Sequence, residues 1–265
     1  QSFAETSDGT VWLSTEQQGL FQIKNGHSIE PVSIDVNESI IQIIAGNDDQ
    51  LWIHTESNRL LEYTPETNKI IEDKIWQAKS EAPNEQPIKA IQNELWYINE
   101  NGKLNSYHIK LQEFYKYQDT NNLNFVNIHK EDEKFLWLLS SNKLLVKFNL
   151  STKGFNPDVI SLIKESNGLT IESMAINDEF IVFGSDSQGL TVLNTKKNSS
   201  VILNESNNLG DNYIASTLFD DQNNVWLATN SGITTLSYND NNILNFDVDY
   251  GIYTPEFSNN VSLKS

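Results

Sequence analysis

The 265 residues, of which 38% are hydrophobic and 10% aromatic, are enough for one large core or two small ones and too apolar for a disordered chain. The formal net charge of -18 repels polyphosphate and therefore argues against nucleic acid and anionic membrane surfaces as partners. The absence of cysteine excludes disulfides and thiolate metal sites, and no stretch approaches the roughly 18 consecutive apolar residues of a membrane span.

From the start of the chain onward, one short unit recurs, with spacings of 40, 44, 41, 46 and 43 residues. It first occurs as TSDGTVWLSTEQQGLFQI (6–23) and last as DDQNNVWLATNSGITTL (220–236). Each copy has a polar turn, an apolar run around a large aromatic residue, a second polar turn and an aliphatic residue. The aromatic residues that anchor the six copies are Trp12, Trp52, Trp96, Trp137, Phe183 and Trp226.

The interval between each anchor and the next aliphatic residue is too short for a helix and fits a β-hairpin. A further strand pattern precedes most hairpins, as in IIQIIA (40–45), and another follows, as in EFYKY (113–117). Four strands repeated about every 40 to 45 residues are typical of a β-propeller. The sequence therefore predicts an all-β fold, a single β-propeller over 1–265 with six recognisable four-stranded blades. A β-sandwich with chance tryptophan spacing is the alternative.

The first and last copies carry a family resemblance. The run Asp8, Gly9, Trp12, Thr15, Gly19 and Leu20 resembles the two-component regulator propeller repeat, and Asp221, Asn224, Trp226, Thr229, Gly232 and Ile233 match it again. The resemblance implies the periplasmic sensor region of a membrane-spanning protein, such as a hybrid two-component sensor or a membrane-anchored diguanylate cyclase. It implies that this region is not itself an enzyme and that any membrane contact runs through segments absent from this chain.

The tail NFDVDYGIYTPEFSNNVSLKS (245–265) is similar to the phrase that leads into the last blade of such proteins. We therefore expect the first strand of a seventh blade there. Proteins of this family commonly have seven blades, so either another segment supplies the missing strands or six blades close by themselves. An open propeller would leave unpaired strand edges that favour association, and a homodimer is one possible outcome.

Motifs for catalysis or cofactors are scarce. The sequence has no G-x-S-x-G, H-E-x-x-H, Walker A or dinucleotide glycine pattern, and its four histidines share no short ligand spacing. We therefore expect no cofactor and no metal, and we interpret His54, in a predicted strand, as a packing residue. A lyase resembling the streptogramin lyases is the enzymatic alternative, and it would need a catalytic histidine in a rim loop.

Ligand contacts are expected in the loops that join the second strand to the third and the fourth strand to the next blade, because these loops share one rim of a propeller. Five residues there are candidates. Arg59, the only arginine, could hold an acidic group with its planar fork, and Trp76 could stack on a sugar. Tyr213 and Tyr253 lie at blade junctions, and Asn230 lies in the last hairpin loop. We expect an oligosaccharide or similar nutrient as the ligand, with a protein-interaction scaffold as the remaining alternative.

Overall fold

The fold is described by a computed structural model, which covers residues 2–15, 18–24, 28–46, 49–84, 87–161, 170–197, 199–237, 242–252 and 257. The chain forms two compact units. The first contains 1–142 and 146–158, and the second contains 143–145 and 159–264.

The described residues form six antiparallel sheets of four strands, and within each sheet the strands follow one another in sequence order. This is the blade of a β-propeller, so the predicted all-β propeller fold with six repeats is confirmed. The expected first strand of a seventh blade falls in the tail after residue 252, outside the residues that the structure describes apart from residue 257.

The first unit holds blades 1 to 3 and most of blade 4, whose residues 143–145 and 159–161 belong to the second unit. The strands are β1 (Ser2–Glu5), β2 (Val11–Thr15), β3 (Gly19–Lys24) and β4 (Ser28–Val32) in blade 1; β5 (Ile40–Ala45), β6 (Leu51–Thr55), β7 (Leu60–Thr64) and β8 (Lys69–Glu72) in blade 2; β9 (Lys89–Ile91), β10 (Glu94–Ile98), β11 (Leu104–His108) and β12 (Glu113–Tyr117) in blade 3; and β13 (Phe125–Lys130), β14 (Phe135–Ser140), β15 (Leu144–Asn149) and β16 (Gly154–Ser161) in blade 4. One α-helix, α1 (Lys74–Lys79), joins blade 2 to blade 3.

The second unit holds blades 5 and 6. Their strands are β17 (Ile171–Ile176), β18 (Phe180–Ser185), β19 (Leu190–Asn194) and β20 (Ser199–Leu203), followed by β21 (Ile214–Phe219), β22 (Val225–Thr229), β23 (Gly232–Ser237) and β24 (Asn242–Phe246). Two single-turn 3-10 helices, Glu205–Asn207 and Val248–Tyr250, lie before and after blade 6.

A bulge at the second residue of the first strand recurs in blades 2, 4, 5 and 6 and fixes the register of each blade. Trp52 lies opposite Ile44, four residues into β5. The matching position in blade 5 is Ala175, and the residue opposite it is Val182. The prediction that Phe183 is the fifth anchor is therefore wrong by one residue. Because side chains alternate along a strand, Phe183 lies on the other face of its blade.

The core of the first unit forms where one blade packs on the next. Trp12 of blade 1 packs with Ile43, Ile53 and Tyr63 of blade 2, and its ring meets the Tyr63 ring edge-on at 5.9 Å between centroids. Burying a large ring in this wedge removes about 150 to 250 Å² from water, so one aromatic residue per blade stabilises each junction.

Polar side chains tie the inner strands of the first unit together. The Gln42 amide nitrogen donates to the carbonyl of Ile88 at 2.9 Å, and its amide oxygen accepts from the Ile88 N–H at 2.8 Å. The Ser2 hydroxyl accepts from the Ile43 N–H at 3.1 Å in the same manner. Neighbouring blades are therefore held by hydrogen bonds as well as by apolar packing.

Candidate functional site

The five residues predicted at the rim lie in different surroundings. Arg59 and Trp76 belong to the first unit, and Tyr213 and Asn230 belong to the second. Tyr253 lies outside the residues that the structure describes.

Arg59 is engaged by carboxylates of its own chain. Its Nη1 donates to Glu38 Oε1 at 2.7 Å and its Nη2 donates to Glu72 Oε2 at 3.3 Å. The hydrogen bonds that Arg59 donates to Glu38 and, with a smaller effect, to Glu72 raise the pKa of the guanidinium above its usual value. Burial alone would raise the pKa of Glu38, but hydrogen bonds from Ser57 and Arg59 outweigh it and lower that pKa. An acidic ligand at Arg59 would therefore have to displace a bonded carboxylate.

Trp76 lies in the core of the first unit. Asp73 caps helix α1 by accepting from the N–H groups of Ile75 at 2.9 Å and of Trp76 at 3.0 Å, which turns the indole inward. The ring has no exposed surface and lies 5.3 Å from the Tyr97 ring and 5.5 Å from the Tyr107 ring. A sugar could stack on this ring only if the helix moved away, so we assign Trp76 a packing role.

A polar cleft of about 320 Å³ opens at blade 6 in the second unit, and we call it the blade 6 cleft. It lies between the connection from blade 5 to blade 6 and the turn that joins β22 to β23. Its lining residues are 208–210, Thr229, 231–234 and 245–247.

Side-chain amides and hydroxyls are held in place along this cleft. The Thr234 hydroxyl donates to Asn245 Oδ1 at 2.7 Å, and Asn245 Nδ2 donates to the carbonyl of Asn208 at 3.0 Å. Gly210 permits this close approach, because a Cβ atom there would lie 3.0 Å from both Thr234 Oγ1 and Asn245 Oδ1. The cleft is therefore preorganised by its own hydrogen bonds.

Asp211 joins the two loops that border the cleft. Its Oδ2 accepts from the Ser231 hydroxyl at 3.1 Å, and its Oδ1 accepts from the Tyr213 N–H at 2.7 Å. Tyr213 is half-buried beside this contact, and Asn230 is exposed between two lining residues. The two loop types expected to share a rim therefore meet at blade 6, next to two of the predicted residues.

The lining chemistry favours an uncharged ligand. The residues around the cleft offer amide and hydroxyl groups that both donate and accept, and Asp247 adds a carboxylate acceptor. None of the lining residues is a lysine, arginine or histidine. A polyhydroxylated neutral molecule suits this set of groups better than an anion does.

The residues that organise this cleft were not predicted from the sequence; these are Asn208, Gly210, Asp211, Thr234 and Asn245. A signal was present in NESNNLGDNY (204–213), where asparagine, aspartate and glycine crowd one blade junction. Thr234 and Asn245 carry no comparable signal, because only the pairing of β23 with β24 places them side by side.

Among the residues that the structure describes, no group of three or more histidine, cysteine, aspartate or glutamate side chains is placed to hold a metal ion. Among the same described residues, no helix has the length and apolarity that crossing a membrane requires. His54 is buried, and its Nε2 lies 3.0 Å from Asn58 Oδ1.

No protein-family model matches the sequence, and no curated protein matches it. Solved structures do resemble the fold. The extracellular domain of the proposed hybrid two-component system BT4673 from B. thetaiotaomicron has a TM-score of 0.67 at 16% identity, over 98% of this chain and 34% of that chain. The corresponding domain of BT3049 from the same organism has a TM-score of 0.65 at 17% identity, over 98% of this chain and 36% of that chain.

Virginiamycin B lyase from Staphylococcus aureus is also similar, with a TM-score of 0.66 at 14% identity, over 93% of this chain and 83% of the lyase. This chain spans about a third of the length of the two-component system domains that it matches. Identities this low establish the fold and not the activity. The chain therefore has the propeller fold that is found in the extracellular domains of two-component systems, in agreement with the resemblance of its repeats.

Proposed function

We propose that this chain is the ligand-sensing propeller of a membrane-spanning signal-transduction protein, located in the periplasm and not itself catalytic. Two observations support the proposal. The first and last repeats resemble the two-component regulator propeller repeat, and the solved structures with the same fold include extracellular domains of two-component systems.

The ligand that we propose is an oligosaccharide or a similar hydroxyl-rich nutrient bound in the blade 6 cleft. The observation that carries this assignment is the row of hydrogen bonds that joins Thr234, Asn245 and the carbonyl of Asn208. These bonds hold the neutral side chains in place, and the remaining lone pairs and N–H groups of these side chains lie along the cleft, where a ligand can pair with them. Sugar hydroxyls both donate and accept, so they can pair with such groups without introducing a charge into a strongly acidic protein.

A thermal-shift screen against neutral and acidic oligosaccharides, amino acids and divalent metals tests the proposal, because a ligand that binds the native state raises the melting temperature. We expect a concentration-dependent rise with a neutral oligosaccharide that is recovered unchanged. Asn245→Ala should weaken its binding about tenfold, the equivalent of one lost hydrogen bond of roughly 1.4 kcal/mol.

Asn194→Ala is the matched control. Its side-chain amide also makes two hydrogen bonds, because Asn194 Nδ2 donates to Glu179 Oε1 at 2.9 Å and Asn194 Oδ1 accepts from the Lys197 N–H at 2.8 Å. Asn194 does not line the blade 6 cleft. Equal loss of affinity in both variants would show a general loss of structure. No shift with any sugar would contradict the assigned ligand and favour a protein-interaction scaffold.

Virginiamycin B lyase has the same fold, which keeps a lyase activity as the second candidate. The two functions differ in the fate of the added compound. Conversion of a screened compound by the wild-type chain would support the enzyme, whereas recovery of the bound sugar unchanged supports the sensor.

A further inference from the structure

Lys89 occupies a position at which other blades have a buried apolar residue. It lies on β9, the first strand of blade 3, opposite Trp96. The residues opposite the anchor position in blades 1, 2 and 5 are apolar and buried; these are Ala4, Ile44 and Ala175. Because a lysine at such a position gives up part of its hydration, it needs a charged or polar partner.

The ammonium group of Lys89 lacks such a partner in the part of the chain that the structure describes. Lys89 is partly buried and forms no hydrogen bond or ion pair with another described residue. Burial, without a carboxylate among these residues to offset it, lowers the pKa of the Lys89 ammonium group to about 8. The other partly buried lysines of the described ranges all have a partner; these are Lys103, Lys130, Lys143 and Lys147.

The strands around Lys89 carry one carboxylate, and it is already engaged. Lys89 is the only titratable residue of β9, and β5 of blade 2 has none. On β10, the Glu94 carboxylate is held in an ion pair at 2.5 Å, and Tyr97 is a neutral phenol. On β13 of blade 4, the titratable residues are His129 and Lys130, and neither of them is an anion. The positive charge of Lys89 is therefore not compensated by these strands.

The two blades that flank blade 3 each expose an aliphatic residue on their first strand. Ile41 in blade 2 is 51% exposed, and Val126 in blade 4 is 40% exposed. Each is the extra residue of the β-bulge in its strand and has no partner residue in the neighbouring strand. The bulge residues of blades 5 and 6 are different, since Glu172 is charged and Ala215 is buried. The exposed aliphatic bulge residues therefore occur in the blades on either side of Lys89.

Hydrogen bonds bring Ile41 and Lys89 to the same junction between blades. The side chain of Gln42 accepts from the Ile88 N–H at 2.8 Å and donates to the Ile88 carbonyl at 2.9 Å. Ile41 directly precedes Gln42, and Lys89 directly follows Ile88. Both side chains therefore lie where blade 2 meets blade 3, and a small ligand can contact the two together.

We propose that Lys89, together with the exposed bulge residues Ile41 and Val126, binds a small aliphatic carboxylate, and we call this the Lys89 site. The carboxylate group pairs with the Lys89 ammonium, and the aliphatic chain covers the exposed surface of the bulge residues. The net charge of -18 repels anions, but this repulsion is screened beyond about 8 Å at physiological ionic strength, whereas the pairing at Lys89 is a direct contact. The Lys89 site shares no residue with the blade 6 cleft.

Binding of hexanoate to the 265-residue chain, followed by ligand-observed NMR titration, tests this proposal. Hexanol has the same chain without the charge, and acetate has the charge without the chain, so we expect each to bind at least about tenfold more weakly. Lys89→Gln should weaken hexanoate binding at least about tenfold and leave hexanol binding unchanged. Lys69→Gln is the matched control, because Lys69 is an exposed lysine on the outermost strand of blade 2, and it should bind hexanoate as the wild type does.

The pH dependence of binding gives a readout that a purely structural role of Lys89 would not change. Only the protonated amine pairs with a carboxylate, so the affinity of the wild type for hexanoate should fall as pH rises above about 8, by up to about tenfold per pH unit. Hexanoate itself stays ionised over this range. In Lys89→Gln the affinity should stay constant over the same range.

Lys89→Met provides a second variant, because an unbranched apolar side chain suits a position that is apolar in three other blades. It removes an uncompensated charge, so we expect it to raise the melting temperature of the free protein by a few degrees. It should also remove the preference for hexanoate over hexanol. A lower melting temperature would mean that Lys89 supports the fold, and it would contradict a binding role.

Three further results would overturn the proposal. Without saturable binding of hexanoate at about 10 mM, the Lys89 site does not take an aliphatic carboxylate. Equal losses of affinity in Lys89→Gln and Lys69→Gln would show that hexanoate responds only to the overall charge of the protein. An affinity that stays constant up to about pH 10 would show that a lysine with an ordinary pKa, and not Lys89, pairs with the carboxylate.

Discussion

Asn58 connects the hairpin of blade 2 to the helix that follows that blade. Its Oδ1 accepts from Trp76 Nε1 at 3.2 Å and lies 3.0 Å from His54 Nε2, and its Nδ2 donates to Ser80 Oγ at 2.9 Å. Asn58 also has a φ of 58°, in the left-handed region that asparagine tolerates better than most residues. One side chain therefore serves three partners in the first unit.

We expect Asn58→Ala to reduce the free energy of unfolding by about 1 to 3 kcal/mol more than Asn122→Ala does, because it removes the hydrogen-bond partner of the buried His54 ring, whereas Trp76 Nε1 keeps its bond to the Asn58 carbonyl at 3.2 Å. Asn122 is the matched control, since its φ is 53° and its side-chain oxygen accepts from the Lys103 ammonium at 3.0 Å in an exposed contact. Urea denaturation of both variants measures the difference. Equal losses would show that backbone strain alone determines the effect.

His54 makes stability depend on pH. Burial lowers the pKa of His54 below its usual value, more than the hydrogen bond to Asn58 raises it. As pH falls below about 6.5, the unfolded chain therefore binds a proton at this residue before the folded chain does, and the free energy of unfolding decreases. The lowered carboxyl pKa values, such as that of Glu38, start from 4.5 and affect a more acidic range.

We expect the free energy of unfolding to fall between about pH 6.5 and pH 5, with a His54 contribution of at most about 1.4 kcal/mol per pH unit. His54→Gln should make this decline shallower. Chemical denaturation of both proteins across this range measures the slopes. Parallel curves would mean that His54 does not contribute.

For single residues, the sequence predicted the type of side chain and its place in a blade better than it predicted the side chains that it contacts. The single arginine was correctly placed in the hairpin loop of blade 2, but its ion pairs with Glu38 and Glu72 depend on contacts across 21 and 13 positions. The five tryptophan anchors share one register position, whereas Phe183 shows that spacing alone can select a neighbour on the wrong face.

At the scale of the element, the glycines of the hairpin turns permit close approach between strands. Gly189 has a φ of +84°, and a Cβ atom there would lie 2.2 Å from the carbonyl oxygen of Leu203. Gly9 has a similar φ of +79° but no atom within 4 Å of such a Cβ. An alanine would therefore be strained by the same positive φ at both positions, but its Cβ atom would clash with a neighbouring strand only at position 189.

Gly9→Ala should therefore cost about 1 kcal/mol of the free energy of unfolding through strain alone. Gly189→Ala should cost at least about 2 kcal/mol more, because the clash is with backbone that cannot rotate away. Thermal or urea unfolding measures both. A similar cost for the two variants would contradict the close packing of β19 against β20.

Strands were easier to predict than helix α1. Alternating apolar residues and turn residues located the strands, since each hairpin has its own local pattern. Helix α1 has six residues and too few turns to show a period, and it depends on the Asp73 cap and on the burial of Trp76. The bulges of β5, β13, β17 and β21 also left no local signal.

At the scale of the whole molecule, the repeat predicted the fold class and the number of described blades. The candidate site was only partly predictable, because the blade 6 cleft combines residues from the connection at 208–211, the turn at 229–232 and the strand pair β23 and β24. Tyr213 and Asn230 lie in the two loops that border this cleft, and their role as ligand contacts stays a prediction. The side chains that face the cleft depend on strand register, which the sequence does not show.

We propose that the ligand binds in the blade 6 cleft, and hydrogen exchange with mass spectrometry can locate the bound ligand. With a saturating oligosaccharide from the thermal-shift screen, we predict slower amide exchange in 208–211 and 229–234 and no change in 55–60 around Arg59. Protection centred on 55–60, or on neither segment, would contradict the placement of the ligand at blade 6.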